Sequence, residues 1–382
     1  MRNPLSDDIY LRRTKPVRPD IRAEYFRDQT KIIHSYPFRR LKHKAQVFYA
    51  PDNDHICTRM EHVLHVASIA ATVCRGLNLS GADWALDTDL AYAIGLGHDL
   101  GHAPFGHEGE KELAAKLGTP KAFMHEINSY RVVEHLANHG QGLNLTYAVK
   151  DGIICHNGED FSQTQIKPAT APNDLENIRD RAYLPCTYEG CLVRLADRVA
   201  YLGRDIEDAV TAGFLTKADL PRRVTQELGD SNTDIIGALI SDLVANSGRG
   251  ETVGFSPEKH ELIGELTRFN YERIYHNPRL VVYRRHIRTV IHTLFDYFTE
   301  LFAKHGTDFA SYAALDFEVD RSFGHYVEKL RCVYEAEGYP ARSVVTDYIA
   351  GMTDSFALDC MRQISLPVPL HFPRGAPLEG GY

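Results

Sequence analysis

The 382-residue sequence predicts an all-α fold, a large helical domain with room for one short β-hairpin. Apolar residues recur at the spacing of an amphipathic helix through most of the chain, whereas the alternating pattern of a half-buried strand is rare. The sequence contains no internal repeat and no low-complexity block. We therefore expect residues 1–365 to form one helical domain, followed by an irregular, proline-rich tail over 366–382.

Two amphipathic segments carry the clearest helical signal. Residues 57–77 hold an apolar stripe at helical spacing, made by Val63, Val66, Ile69, Ala70 and Val73. Residues 188–213 repeat the pattern with Val193, Leu195, Val199 and Leu202. In chain order, the predicted helices cover residues 22–44, 57–77, 82–100, 107–117, 125–139, 143–155, 188–213, 233–247, 257–275, 279–304, 322–337 and 340–363.

Two connecting segments depart from the helical pattern. Residues 36–56 mix aromatic and β-branched residues with Pro51, Asp52 and Asn53, which favours a turn or a short hairpin. Residues 157–180 are polar and contain two prolines, so we expect a surface loop there.

Composition narrows the class of protein. The chain has 43 Lys and Arg against 51 Asp and Glu, so no overall positive field attracts it to nucleic acid or to an anionic membrane. The N-terminus lacks the apolar region of a signal peptide, and no window has the apolar length of a membrane span. The 7 cysteines form no CxxC pair, which is typical of reduced thiols. We expect a soluble, cytoplasmic protein with no membrane partner.

Residues 95–110, GLGHDLGHAPFGHEGE, are the part of the chain richest in chemically active side chains, and they begin with the adjacent pair His98-Asp99. Neighbouring side chains on a helix diverge by about 100°, so both can hold one ion only when other segments supply further ligands. The alternative is that His98 and Asp99 cap a helix end or form a turn beside glycine-rich sequence.

Two candidates for the missing ligands lie on the two amphipathic segments. His62 belongs to 57–77 and Asp197 to 188–213. One imidazole, a His-Asp pair and a distant carboxylate make a mixed nitrogen and oxygen set, which suits one divalent metal (Mn, Mg, Fe, Co, Ni or Zn) with open positions for water and substrate. Because the chain has 19 histidines, a chance cluster or an ordinary core role for His62 is the competing interpretation.

The breakers Gly101, Pro104 and Gly106 predict a turn after the His-Asp pair. A new helix beginning near His107 would place His107 and Glu110 on one face, three residues apart. A carboxylate can fix the tautomer of an imidazole that transfers a proton in hydrolysis. Alternatively, Glu110 is a first-turn carboxylate favoured by the helix dipole.

Basic residues close to the ligand segments could bind phosphate. The run FRRLKHKAQVF at 38–48 includes Arg39, Arg40, Lys42 and Lys44, and Arg59 lies one turn before His62. A run of charges is also typical of a solvated helix face.

Tyr201 and Asp205 follow Asp197 at i+4 and i+8. That spacing puts the three side chains on one helix face, so a metal ligand, an aromatic ring and a second carboxylate could line one pocket wall. Asp205 could then accept a hydrogen bond from a sugar hydroxyl while Tyr201 packs on the ring. The competing interpretation is an exposed charged helix with a half-buried tyrosine.

The ordered set His62, His98-Asp99 and Asp197 resembles that of the HD-domain metal-dependent phosphohydrolases. More closely, the chain resembles the deoxyguanosine triphosphate triphosphohydrolase branch and its dNTP triphosphohydrolase relatives. The resemblance covers most of the chain. It is carried by the motifs IIHSYPFRRLKHKAQVF, TRMEHVLHVASIA, GHDLGHAPFGHEGE, FMHEINSYRVVEHL, LADRVAYLGRDIEDA and DYIAGMTDSFA.

The resemblance implies an HD core over about 57–213 with a helical elaboration over 214–365. It implies hydrolysis of a dNTP to deoxynucleoside and triphosphate, with water attacking the α-phosphorus. By matching motifs, the metal ligands are His62, His98, Asp99 and Asp197. The catalytic set is His107, Glu110 and His125, and substrate is contacted by Gln46, Arg59, Tyr201 and Asp205. Relatives commonly form homo-oligomers, and a nucleotide effector or single-stranded nucleic acid is a further partner to test.

Two positions depart from the family pattern: His65 stands where a carboxylate is common, and Arg204 replaces a frequent histidine. Base preference is therefore open, with dGTP as the first guess. Two other functions compete with this prediction: an HD phosphohydrolase acting on nucleoside monophosphates or alarmones, and a dNTP-sensing or single-stranded-DNA-binding protein with little turnover.

Overall fold

The computed structural model describes residues 1–49, 53–80, 83–157 and 163–367. The α-helices of these residues, in chain order, are α1 Asp7–Tyr10, α2 Glu24–Ile33, α3 Tyr36–Arg40, α4 Arg59–Leu79, α5 Thr88–Gly97, α6 Gly106–Leu117, α7 His125–Arg131, α8 Ala137–Gly140, α9 Tyr147–Ile154, α10 Tyr188–Thr211, α11 Arg222–Glu227, α12 Asn232–Asn246, α13 Pro257–Asn270, α14 Leu280–His305, α15 Phe309–Ala313, α16 Glu318–Lys329, α17 Arg331–Ala336, α18 Ala341–Ala350 and α19 Asp354–Ser365. Short 3₁₀ turns cover Leu41–His43, Leu175–Asn177, Lys217–Asp219 and Arg249–Glu251, and π-helical turns cover Val132–Leu136 and Tyr271–Tyr275.

The all-α prediction is confirmed. Within the described residues, β structure is limited to one two-stranded antiparallel sheet and an isolated bridge. Strand β1 (Gln165–Ile166) pairs with β2 (Val253–Gly254). The sheet joins a predicted loop to the C-terminal half of the chain.

Of the turn or short hairpin predicted within residues 36–56, the described residues contain a turn, in which the Ile56 amide donates to the Asn53 carbonyl at 3.2 Å, but no hairpin; residues 50–52 lie outside the described residues. Instead Ser35 caps helix α3, its hydroxyl accepting a hydrogen bond from the Phe38 amide, and Pro37 occupies the first turn. Proline at the start of a helix loses no internal hydrogen bond, so this local capping favours a helix. Only an isolated antiparallel bridge between Ala45 and Thr58 retains strand character.

Helices α4, α5 and α10 pack against one another at the centre of one buried apolar cluster. The stripes predicted on α4 and α10 are buried, including Val63 and Val73 on α4 and Val199 on α10. Burying an aliphatic side chain of this size stabilises a fold by about 1.5–3 kcal/mol. The core therefore fixes the relative position of the three helices that carry the predicted metal ligands.

A second apolar cluster joins α6 to the C-terminal helices. Leu113 of α6 is buried with Phe298 of α14, Phe323 of α16 and Tyr348 of α18. The Phe298 and Phe323 rings lie 4.9 Å apart, within the range of favourable aromatic pairs. Because α6 carries His107 and Glu110, the C-terminal helices hold one wall of the candidate site.

Several predicted boundaries differ for local reasons. The predicted helix 340–363 is two helices, because Thr353 caps α19 by accepting a hydrogen bond from the Phe356 amide. The predicted helix 125–139 passes into a π-helical turn after Arg131, and Asn138 and His139 adopt positive φ. Asp87 starts α5 later than expected by accepting hydrogen bonds from the amides of the first turn.

The predicted surface loop over 157–180 is partly anchored. In its described residues, 157 and 163–180, Ile166, Leu175 and Ile178 are buried in the first apolar cluster. The predicted irregular tail at 366–382 lies outside the described residues apart from 366 and 367. No helix among the described residues combines the length and the apolar character that a bilayer crossing needs.

Candidate metal centre and active site

His62 on α4, His98 and Asp99 just after α5, and Asp197 on α10 converge on one point. His62 Nε2 lies 3.0 Å from Asp197 Oδ1, and His98 Nε2 lies 3.9 Å from the same oxygen. His98 Nε2 is also 3.6 Å from Asp99 Oδ1. Ligand atoms about 2.0–2.2 Å from one ion are separated by distances of this order. The structure thus brings together all four predicted ligands.

His98 is the residue whose environment fits a metal ligand most closely. Its Nδ1 hydrogen-bonds the Gly95 carbonyl at 2.7 Å, which makes Nδ1 the protonated nitrogen and leaves a lone pair on Nε2. The side chain is fully buried, and Nε2 has no hydrogen-bond partner among the described residues. Burial lowers the pKa of His98, which keeps the imidazole neutral and able to ligate.

Both carboxylates of the set are ionised. Burial alone would raise the pKa of Asp99, but the charge of the Arg59 guanidinium, with a contribution from charged His125, outweighs it and holds the pKa well below its usual range. Burial is likewise outweighed at Asp197, where the hydrogen bond from His62 lowers the pKa. The donor set therefore offers two imidazoles and two anionic carboxylates to a divalent cation.

Arg59 is a buried residue that contacts the candidate ligand Asp99. Its Nη1 lies 2.5 Å from Asp99 Oδ2, and its Nη2 donates to the Gln46 carbonyl at 3.4 Å. One charge-assisted bond to the carboxylate and a second bond to a backbone carbonyl fix the orientation of the guanidinium. Arg59 therefore orients the candidate ligand Asp99 and also reaches the wall of the adjacent cavity.

The HDLGHAPFG segment turns the chain as predicted, and α6 begins at Gly106, one residue before His107. A Cβ atom on Gly101 would lie 2.1 Å from the Ser129 amide nitrogen, so only glycine allows this close approach. Phe105 has φ of 64°, a conformation that costs a residue with a side chain about 1–3 kcal/mol. The surrounding structure must hold this turn in place.

Glu110 joins two imidazoles. Its Oε2 lies 2.8 Å from His125 Nδ1 and 3.5 Å from His107 Nδ1. The sequence paired Glu110 with His107 alone, whereas the closer partner is His125, 15 residues further along the chain. Burial would lower the pKa of His125, but the Glu126 and Glu110 charges raise it to about 10. His125 is therefore a cation in a buried site.

Sequence reasoning missed several residues of this cluster. His102 is fully buried, and its ring stacks on His125 at 4.4 Å. Its Nε2 lies 3.9 Å from Glu110 Oε2, and neither ring nitrogen has a hydrogen-bond partner among the described residues. His156 directs Nε2 to within 3.2 Å of His125 Nε2 because its Nδ1 hydrogen-bonds the Ile153 carbonyl. His102 could have been found inside the HDLGHAP motif, but His156 has no spacing signal.

Arg181, one residue beyond the predicted surface loop over 157–180, lies at the outer side of the cluster. Its Nε lies 2.9 Å from Glu126 Oε1 and its Nη2 lies 3.4 Å from Glu110 Oε1. The side chain is one-third exposed, so it faces both the buried carboxylates and the cavity. A guanidinium in this position can also meet an incoming anion.

A cavity of about 790 Å³ opens beside the ligands. Its lining includes every predicted site residue except His98, which is buried behind the other ligands: Gln46, Arg59, His62, Asp99, His107, Glu110, His125, Asp197, Tyr201 and Asp205. Lys111, Lys121, Arg181 and Arg284 add positive charge to its wall. The volume lies in the usual range for a small-molecule site.

The far wall of the cavity is made by Asp205, Tyr201 and Tyr275. The Tyr275 hydroxyl donates a hydrogen bond to Asp205 Oδ2, while Asp205 Oδ1 has no hydrogen-bond partner among the described residues. Burial raises the pKa of Asp205 to about 7. The sequence did not indicate Tyr275, because this residue reaches the site from a π-helical turn 70 residues beyond Asp205.

Some residues singled out in the sequence lie outside the cavity. His65 and Arg204, the two departures from the family pattern, do not belong to its lining. Of the basic run at 38–48, Arg39 and Lys42 are exposed and Lys44 is buried, and none of them lines the cavity. The phosphate-binding interpretation of that run is therefore not supported by its position.

Comparison with known proteins adds the family. A family described as "HD domain" matches residues 59–202, and one described as "Phosphohydrolase-associated domain" matches residues 253–363. A "Deoxyguanosinetriphosphate triphosphohydrolase-like protein" from Caldanaerobacter subterraneus is 38% identical over 92% of this chain and 87% of its own length. Relatives of the same description from Desulfatibacillum aliphaticivorans and Clostridium tetani are 36% and 34% identical, covering 94% and 95% of this chain and 92% and 91% of their own lengths.

Proposed function

The chain belongs to the HD-domain family of deoxyguanosinetriphosphate triphosphohydrolase-like proteins, and from this premise we propose that it hydrolyses deoxynucleoside triphosphates to deoxynucleoside and inorganic triphosphate. We take dGTP as the first substrate to test. The observation that carries the proposal is one cavity lined by the candidate metal ligands, an imidazole-carboxylate cluster and five Lys and Arg side chains. Hydrolysis of a triphosphate uses a metal ion, groups that transfer protons, and positive charge that offsets the phosphates.

The metal would be held by His62, His98, Asp99 and Asp197, and when bound it neutralises phosphate oxygens and acidifies water. Mn, Mg, Fe, Co, Ni and Zn all remain candidates for this donor set. Around it, Lys111, Lys121, Arg181 and Arg284 supply the charge that offsets the rest of the triphosphate. With the α-phosphorus at the metal, the attached deoxyribose would lie toward Tyr201 and Asp205.

We assign proton transfer to the cluster of side chains around Glu110. In the proposed reaction, the water oxygen bonds to the α-phosphorus and the water loses a proton, the bond from phosphorus to O5′ breaks, and O5′ takes up a proton, so that no net proton is gained or lost. His107, whose side chain is 57% exposed and lines the cavity, is the group we assign to that proton. His125, held in its charged form by Glu126 and Glu110, is assigned to stabilise charge on the α-phosphate oxygens.

Tyr201 is the residue we assign to rejection of ribonucleotides, because a ring packed against C2′ leaves no room for a 2′-hydroxyl. We expect Tyr201→Ala to raise the ratio of kcat/KM for GTP to that for dGTP by about 10-fold or more. Tyr201→Phe, which keeps the ring, should retain the discrimination. Wild-type protein that hydrolyses GTP as readily as dGTP would rule out this role.

Chromatographic product analysis of the metal-loaded protein with each of the four dNTPs tests the proposed function. We expect equal amounts of deoxynucleoside and triphosphate. Deoxynucleoside monophosphate with pyrophosphate, or release of orthophosphate, would overturn the proposal. Self-association, activation by a nucleotide effector and binding of single-stranded nucleic acid stay predictions from the family resemblance.

A further inference from the structure

Asp354, in the DYIAGMTDSFA segment, binds two separate parts of the active-site wall at once. The residue is fully buried at the start of α19. Its Oδ2 accepts a hydrogen bond from the Ala45 amide at 2.8 Å, and its Oδ1 accepts one from the Phe105 amide at 2.8 Å. Each oxygen of one carboxylate therefore holds a different loop.

Both loops adjoin residues of the proposed site. Ala45 immediately precedes Gln46, and the Ala45 carbonyl accepts a hydrogen bond from Arg59 Nε at 3.3 Å. Phe105, the residue with positive φ, immediately precedes α6 and lies two residues before His107. A strained turn keeps its conformation only where neighbouring groups hold it, and the bond from the Phe105 amide to Asp354 is one such restraint.

Lys44 makes a second connection among three segments, residues 44–45, 102–105 and 350–354. Its buried ammonium group donates hydrogen bonds to the His102 carbonyl and, at 2.7 Å, to the Ala350 carbonyl. Arg40 adds a third link by donating to the Gly351 carbonyl at 2.7 Å. The chain over 350–354 is thus tied to residues 44–45 and to the 102–105 turn by side chains that do not line the cavity.

We propose that Asp354 is a positioning residue for the active site, and that the 350–354 segment sets the distance between the Gln46 and Arg59 side of the cavity and the His107 side. This inference rests on the proposed function for its kinetic consequence, although the contacts themselves do not depend on it. Asp354 acts through backbone amides and touches neither substrate nor metal. Burial raises the pKa of Asp354, while the two amide donors and its place in the first turn of a helix favour the charged form.

The test compares Asp354→Asn with Asp320→Asn. Asn keeps one acceptor oxygen but presents an NH₂ donor to the other amide, so one loop loses its restraint. Asp320 is a matched control, because it is also a buried first-turn aspartate of a C-terminal helix, and it accepts a hydrogen bond from the Tyr297 hydroxyl at 2.7 Å.

We expect Asp354→Asn to keep one metal per chain and to lose about 10- to 100-fold in kcat, with a smaller change in KM, as displacement of a catalytic group does. Hydrogen exchange of the Ala45 and Phe105 amides in the metal-loaded protein should become faster, while the amides of α14 keep their protection. Asp320→Asn should change kcat by less than about twofold. Wild-type kcat in Asp354→Asn, or an equal loss in both variants, would overturn the proposal.

Lys44→Met gives an independent test should Asp354→Asn not fold. It removes the second link between the same segments and should likewise lower kcat more than it raises KM and speed exchange at the 102–105 turn. Unchanged kinetics and exchange would count against the proposal. The exchange measurement uses no substrate, so it can succeed or fail separately from dNTP hydrolysis.

Discussion

Replacing His98 by alanine should remove the bound metal and lower dNTP hydrolysis by about 10³-fold or more, equivalent to about 4 kcal/mol of transition-state stabilisation. The reason is geometric. The Gly95 carbonyl fixes the His98 ring, and its buried Nε2 points at His62, Asp99 and Asp197 with no other partner among the described residues. Metal content by elemental analysis and turnover of dGTP are the two measurements.

His65→Ala is the control for that experiment. His65 is a half-buried histidine on α4, the helix that carries His62, but it does not line the cavity. The control should retain full metal content and activity within about twofold. A His98→Ala protein that still binds one metal per chain and turns over dGTP at the wild-type rate would contradict the proposed metal centre.

Substituting Glu110 by glutamine should lower kcat by about 10²- to 10⁴-fold while the metal stays bound. Glu110 is the carboxylate shared by His107 and His125, and none of the proposed metal ligands depends on it for a hydrogen bond. Glutamine keeps the size of the side chain but removes the charge. Steady-state kinetics alongside metal content separate this loss from loss of the metal.

The pH profile gives the same substitution a second readout. Because Glu110 and Glu126 raise the pKa of His125 to about 10, His125 is charged at neutral pH and loses its proton only when the pH rises through that value. Wild-type kcat should therefore persist into the alkaline range, and the decline should move to lower pH in Glu110→Gln.

Glu112→Gln is the control on the same helix. Glu112 pairs with His292 at 2.9 Å and lies outside the cavity. The pH dependence of kcat in Glu112→Gln should therefore match that of the wild type. An unshifted profile in Glu110→Gln would argue that His125 is not the group whose charge matters.

The four candidate metal ligands could be singled out from the sequence because each lies in a locally patterned segment. His62 and Asp197 sit on amphipathic helices whose apolar stripes identify the buried face, and the His-Asp pair stands beside glycines that end a helix. Local spacing also placed His107 and Glu110 on one face of α6. These relations depend on positions a few residues apart.

Apart from His102, which lies inside the HDLGHAP motif, the residues that were missed depend on tertiary contacts. His156 and Tyr275 lie on segments without chemical periodicity, and each enters the site only when distant helices pack. The predicted contact of Glu110 with His107 at i+3 is present, but spacing could not identify the nearer partner His125 across a turn. The split of the helix predicted over 340–363 likewise follows from a cap at Thr353 that competes with continuous periodicity.

The position of the oxygen taken from water tests the central claim most directly. Hydrolysis of dGTP in H₂¹⁸O by the metal-loaded protein should place one ¹⁸O on a terminal phosphorus of the triphosphate, visible as an isotope shift in its ³¹P resonance, and none in the deoxynucleoside. That outcome means attack at the α-phosphorus with departure of O5′. Label in the deoxynucleoside 5′-hydroxyl, or label in pyrophosphate or a monophosphate product, would contradict the account.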